Sequence, residues 1–92
     1  MTDAEINLAI AKIEWGDDFL DDDYLTSLYE CTDYVYNWAD IGPIIDYEKI
    51  ELRYIEPNWM AQCAYDVDID ARAETPTEAA ALCYLKMNGV EI

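Results

Sequence analysis

The sequence predicts an α+β domain in which an N-terminal and a C-terminal helix pack on one face of a small antiparallel sheet. Three observations support this: apolar residues at helical spacing near the start, a hairpin pattern over about 48–66, and a capped helical run near the end. The 92 residues suit one domain spanning 1–92. Because 53% of them are apolar, with three Trp and eight Tyr, we expect a folded chain despite its formal charge of -16.

The first helix is predicted to begin after Thr2 or Asp3, either of which can cap it, and to stop near Gly16. Its apolar residues recur at i, i+3, i+4 and i+7, namely Ile6, Ala9, Ile10 and Ile13. The acidic residues that follow are harder to interpret, and a short second helix is predicted over 23–31, with Asp23 as its cap. Residues 34–47 are predicted to be extended and rich in aromatic side chains, with a turn near Gly42.

Two strands and a final helix complete the prediction. Residues 49–54 alternate apolar and charged side chains, residues 59–65 are apolar on both faces, and the sequence between them is typical of a turn. Residues 66–74 are predicted to be an acidic loop or the end of a strand. Thr75, Pro76 and Glu78 form a capping box with proline at the first helical position, and Asn88-Gly89 ends the helix.

The charge of the chain is its strongest functional signal. There are 21 Asp and Glu against 5 Lys and Arg, and the 36 residues between Lys12 and Lys49 hold eleven carboxylates and no basic residue. Such a surface repels nucleic acid and anionic membranes and attracts basic protein surfaces. We therefore expect no direct nucleic-acid partner and no membrane partner. The acidic and polar start of the chain also predicts no signal peptide.

Calcium binding and catalysis are both disfavoured. Asp66, Asp68 and Asp70 match the opening of an EF-hand loop, but Ala71 stands at the position of its glycine and Thr77 at that of its bidentate glutamate.

The chain has no histidine, no glycine-rich phosphate loop and no pair of cysteines at zinc-binding spacing. Cys63 and Cys83 stand in apolar surroundings typical of inert thiols. No cofactor, metal site or catalytic residue is therefore predicted, and the protein is not expected to be an enzyme.

Several segments together resemble a known family. They are the segment from Trp38 to Ile45 that contains Gly42-Pro43, the following Ile50, Trp59-Met60-Ala61, and the Thr75-Pro76 helix with its alanines. In this order they resemble the NinX-like family of small tailed-phage accessory proteins. The resemblance implies a phage or prophage gene product, and it implies no chemistry. With free thiols and no signal peptide, we expect the protein in the cytoplasm of the infected bacterial host.

Together, charge and resemblance predict an interaction protein that binds a basic nucleic-acid-binding surface of a host defence complex and blocks it. It would act as an anti-CRISPR or anti-restriction inhibitor, with carboxylates imitating a row of phosphates. The alternative is a small structural or regulatory phage protein that self-associates or binds through aromatic side chains. The oligomeric state is left open. The predicted partner-binding residues are Glu14, Asp17, Asp18, Asp21, Asp22, Asp23, Glu30, Asp33, Tyr34 and Tyr36.

Overall fold

Three helices and a three-stranded antiparallel sheet make up the part of the chain that the structure, a computed structural model, describes: residues 2–15 and 33–90. The predicted helix over 23–31 lies outside these residues. The elements are α1 (Asp3–Trp15), α2 (Trp38–Glu48), β1 (Ile50–Ile55), β2 (Asn58–Cys63), β3 (Asp66–Ala73) and α3 (Pro76–Met87). The α+β fold class predicted from the sequence is confirmed.

Both terminal helices begin at the caps that the sequence indicates. At α1, the Thr2 hydroxyl accepts a bond from the Glu5 amide at 3.2 Å and donates to the Glu5 carboxylate at 3.0 Å. At α3, the Thr75 hydroxyl accepts a bond from the Glu78 amide at 3.2 Å, and Pro76 opens the helix. Each cap satisfies backbone donors that the helix itself leaves without a partner.

The last helix is the centre of the fold. α3 packs across all three strands, and α1 and α2 both pack against α3. Its inward side chains, from Ala79 to Leu85, are almost fully buried, together with Ile6 and Ile10 of α1 and Ile41 of α2. The core therefore lies between the inner face of the sheet and the three helices.

The prediction of an extended segment over 34–47 is wrong. Residues 34–36 form a turn, and α2 follows with Gly42 and Pro43 inside it. The Asn37 side chain caps this helix by accepting a bond from the Ala39 amide at 2.9 Å. Proline removes one helical hydrogen bond, but Ile41 and Ile44 lie one turn apart and both are buried, so packing outweighs the local penalty.

The acidic segment after the hairpin forms a third strand. β3 pairs with β2 in antiparallel register, with Ala61 opposite Ala71, so residues 66–73 are not a loop. The small inward residues Ala71 and Ala73 pack against the core, which leaves the acidic residues of β3 at the surface. The segment that matches the start of an EF-hand loop is therefore mostly strand.

The two faces of the sheet differ sharply because residues directly opposite each other in an antiparallel pair lie on the same face. The inner face carries Ile50, Leu52 and Ala61, which belong to the core or pack against it. The outer face carries two rows that cross all three strands. One row is Glu51, Gln62 and Asp70; the other is Arg53, Met60 and Arg72.

Candidate functional site

Four of the ten predicted partner-binding residues lie in the described part of the chain: Glu14, Asp33, Tyr34 and Tyr36. They do not form one surface. Tyr34 is only 5% exposed, whereas Tyr36 is 57% exposed, so the two predicted tyrosines do not both face solvent. The remaining six lie outside the described residues, namely Asp17, Asp18, Asp21, Asp22, Asp23 and Glu30.

Asp33 holds the turn that precedes α2. Its Oδ1 accepts bonds from the amides of Val35 at 3.1 Å and Tyr36 at 3.2 Å, and from the Asn7 side chain at 3.3 Å. Asn7 lies on α1, is 7% exposed, and accepts a bond from the Tyr34 amide at 2.7 Å. These bonds fasten the turn to α1, so Asp33 has a structural role whether or not it also contacts a partner.

Glu14 is tied to the last helix. Its carboxylate accepts a bond of 2.7 Å from the hydroxyl of Tyr84 on α3. Burial, this hydrogen bond and the nearby carboxylates raise the pKa of Tyr84 far above its ordinary value, so the phenol remains a donor at physiological pH. Beside Glu14 is an open groove of about 340 Å³, lined also by Pro43, Ile44, Tyr47 and Glu48 of α2.

Tyr36 lies at the centre of a second group of carboxylates. Its hydroxyl donates to Asp3 of α1 at 2.9 Å, and this bond is the main cause that raises the pKa of Tyr36. The charges of Asp3, Glu78 and Asp33 raise it further. We call Tyr36 with Asp3, Asp33, Glu74 and Glu78 the Tyr36 cluster.

The Tyr36 cluster holds its carboxylates close enough to repel one another. Burial contributes most to the raised pKa of Glu78, and the charges of Asp3 and Glu74 raise this pKa further. Within residues 2–15 and 33–90, no Lys or Arg side chain lies within 4.0 Å of these carboxylates; the one ion pair found there joins Lys49 to Asp46. Within these residues, the carboxylates of the cluster therefore have no cationic side chain paired with them.

Tertiary packing assembles this cluster from four parts of the chain: the start of α1, the turn over 34–36, the residue after β3, and the start of α3. Sequence reasoning identified Tyr36 and Asp33 but missed Asp3, Glu74 and Glu78. The two capping boxes were a usable signal, because each places a carboxylate in the first turn of a helix. What the sequence did not reveal is that the two helix starts lie together.

The described cysteines are core residues. Cys63 and Cys83 are both buried and free, as the apolar character of their elements predicts. Burial, together with the nearby Cys63 and Asp70, raises the pKa of Cys83 to about 11, which disfavours the thiolate. Within the described ranges, no three His, Cys, Asp or Glu side chains are arranged to hold a metal ion.

No helix in the described part of the chain is long and apolar enough to cross a membrane. Neither the curated proteins nor the solved structures gave a significant match to this sequence. A family model does match, over residues 1–88, and its description is bacteriophage P22, NinX. The match spans nearly the whole chain and agrees with the resemblance carried by the Trp38–Ile45 segment, the Trp59 strand and the Thr75-Pro76 helix. The chain therefore belongs to the bacteriophage P22 NinX family.

Proposed function

We propose that this phage protein binds a basic, nucleic-acid-binding surface of a host defence complex and blocks it in the cytoplasm of the infected bacterium. It would serve as an anti-CRISPR or anti-restriction inhibitor. Family membership supports the coarser part of this proposal, a small phage accessory protein. The finer part rests on physical arguments about its surface.

The observation that carries the proposal is the Tyr36 cluster. Three of its carboxylates act on an exposed tyrosine, the fourth acts on Glu78, and the exposed Trp38 lies two residues further along the chain. Uncompensated carboxylates attract basic surfaces and raise the rate of encounter. Tyrosine and tryptophan are the side chains that most often anchor protein interfaces. The cluster therefore combines long-range attraction with an apolar anchor.

The acidic strand β3 offers a second feature that supports the proposal, a regular row of carboxylates. Successive outward carboxylates on a strand are separated by about 6.7 Å, twice the rise per residue, which resembles the spacing of phosphates along a nucleic-acid strand. Nucleic-acid-binding proteins recognise phosphates mainly through lysine and arginine. An acidic protein can therefore compete for such a groove without resembling a duplex in detail.

The test is a pull-down with tagged protein from nuclease-treated host lysate, at low and moderate salt. We expect capture of one nucleic-acid-binding complex, weakened by salt and displaced by added DNA or RNA. Capture of nothing above background would contradict the proposal. Capture that is insensitive to salt would instead favour the aromatic, non-mimetic alternative.

A matched pair of variants then locates the surface. Glu74→Gln with Glu78→Gln neutralises part of the Tyr36 cluster, whereas Asp46→Asn with Glu56→Gln removes the same charge elsewhere. We expect the first pair to weaken binding at least tenfold and the second to weaken it much less. Equal losses would mean that net charge, and not the Tyr36 cluster, drives binding.

A third variant tests the acidic run outside the described residues. Reversing Asp21, Asp22 and Asp23 to Lys would abolish binding if that run is the contact surface. An effect there, with none from the Glu74 and Glu78 pair, would move the site to the run.

A further inference from the structure

Both arginines of this acidic chain lie on the outer face of the sheet. Arg53 and Arg72 are each directly opposite Met60, one on either side of the central strand. The neighbouring row has Glu51 and Asp70 on either side of Gln62 in the same way. Two positive and two negative side chains thus form a charge-balanced patch on a protein whose formal charge is -16.

Within residues 2–15 and 33–90, the arginines of this patch form no ion pair. Both are exposed, and within the described residues neither has a carboxylate oxygen within 4.0 Å. Met60 between them is only 7% exposed although it does not belong to the main core cluster. The methylene stems of its two neighbours can cover it while their guanidinium groups remain in water. The arginines are therefore positioned on the sheet and available to an anionic partner.

We propose that this outer face binds the same face of a second copy of the chain. The two copies are related by a two-fold axis that lies between the two sheets. The axis runs across the strands and passes midway between the two rows, so it places each row over the other row of the partner. Arg53 then faces the partner's Glu51, and Arg72 faces the partner's Asp70. Met60 faces the partner's Gln62 at the centre. Because the operation is two-fold, each of these contacts occurs twice.

Dimensions agree with this arrangement. The two rows are about 6.7 Å apart along the strands, and packed sheets lie about 10 Å apart, a distance that arginine and glutamate side chains can bridge together. Rotation about an axis parallel to the strands would instead place Arg53 over the partner's Arg72. Charge complementarity therefore selects one orientation of the dimer.

A second copy suits the patch better than other anions. Nucleic acid would be repelled by the rest of the surface, whereas a second copy supplies carboxylates at the same spacing as the arginines. The face is small, roughly 10 Å across three strands and 20 Å along them, well below a standard interface. Repulsion between two acidic chains weakens it further, so we expect a dimer with micromolar or weaker affinity at moderate salt.

Sedimentation velocity of the full chain, over about 10 µM to about 1 mM in moderate salt, tests the proposal. We expect a concentration-dependent dimer. Arg53→Glu with Arg72→Glu should raise its dissociation constant at least tenfold. Lys12→Glu with Lys49→Glu makes the same change in net charge, and Lys49 pairs with Asp46 of α2, on the helical side of the sheet. This control should leave the dissociation constant within about threefold of the wild type, the margin left for extra repulsion.

Charge exchange gives a second readout that does not depend on loss of function. Glu51→Arg with Asp70→Arg should also prevent self-association, because two basic faces would meet. Mixing this variant with the Arg53→Glu and Arg72→Glu variant should restore a heterodimer. Circular dichroism shows whether each variant is folded; Arg53→Gln with Arg72→Gln replaces a reversal that fails to fold. A wild-type chain that is monomeric throughout, or a dimer unaffected by the reversals, would overturn the proposal.

Discussion

The Tyr36 cluster and the outer face of the sheet show opposite uses of charge in one small domain. In the cluster, three carboxylates act on a tyrosine and a fourth acts on one of the three, and in the described part of the chain none of the four has a Lys or Arg within 4.0 Å. On the outer face, one row holds two arginines and the neighbouring row holds two carboxylates, so these two rows together have no net charge. A single value of -16 therefore describes neither surface.

The two surfaces differ because position in the fold decides what a charge can do. Helix starts concentrate carboxylates because the helix dipole and the caps favour them there. A strand spaces its charges regularly and places alternate residues on one face. The first arrangement attracts basic partners of many shapes, whereas the second selects a partner whose charges have the same spacing.

Asn7→Ala should have the strongest effect on stability, because it weakens the turn that carries Tyr36 and leaves the outer face of the sheet unchanged. Asn7→Ala removes the acceptor of the Tyr34 amide bond and one of the three donors to Asp33. Loss of such a buried hydrogen bond costs about 1–3 kcal/mol of unfolding free energy, measurable by urea denaturation. We also expect weaker binding to a basic partner, since the turn carries Tyr36.

Asn58→Ala is the matched control, because it removes an amide at the start of β2. It should cost clearly less, and outer-face association should survive in the Asn7 variant wherever that variant is folded. A loss of dimer alone, with partner binding intact, would contradict the assignment of Asn7 to the Tyr36 region.

A smaller effect concerns the pH dependence of the cluster. The pKa of Glu78 is raised in the folded state, so the folded chain binds its proton more tightly than the unfolded chain does. Stability from this group is fully present below the unfolded value of about 4.5 and is lost as pH rises through the folded pKa. Relative to wild type, Glu78→Gln should therefore have a higher unfolding free energy at pH 7, and this advantage should shrink towards pH 4. We expect a difference of about a few tenths of a kcal/mol after allowance for solvent screening.

Thermal melts at pH 4, 5, 6 and 7 measure this difference, with Glu56→Gln as the control for loss of one carboxylate. If Glu78→Gln and wild type show parallel pH profiles, the crowding of carboxylates in the Tyr36 cluster is energetically unimportant.

The smallest effect is expected on the sheet. Arg53→Gln and Arg72→Gln should each change the unfolding free energy by less than about 0.5 kcal/mol in dilute solution, because both side chains are exposed. Urea denaturation at low micromolar concentration measures it. A loss above about 1 kcal/mol would mean that the arginines stabilise the monomer and are not free to bind a second copy.

Local signals in the sequence predicted the terminal helices and the hairpin correctly. The cap at Thr2 or Asp3, the capping box at Thr75 and the alternation in β1 depend only on residues close together in sequence, so no knowledge of the fold is needed. α2 was missed because Gly42 and Pro43 are locally unfavourable to a helix, whereas the burial that stabilises it comes from distant elements. β3 was underestimated because its inward side chains include small alanines, which give a weak apolar pattern.

The candidate site could be predicted only in part for a similar reason. Tyr36 and Asp33 are neighbours in sequence and stood out as an aromatic residue beside an acid. Asp3 and Glu78 are separated by most of the chain, and only the packing of α1 against α3 brings both into the Tyr36 cluster. Charge density along the sequence therefore indicated the kind of surface and missed three of its five members.

The central position of the last helix has a consequence for synthesis of the protein. Each of the other described elements packs against α3. The other main contacts are the pairing of neighbouring strands and the contact of α2 with β1. The ribosome releases the chain from the N-terminus, so the 12 residues of α3 emerge after everything they cover. The core therefore cannot close before α3 has left the ribosome, and until then the apolar side chains that α3 covers lack their main packing partner.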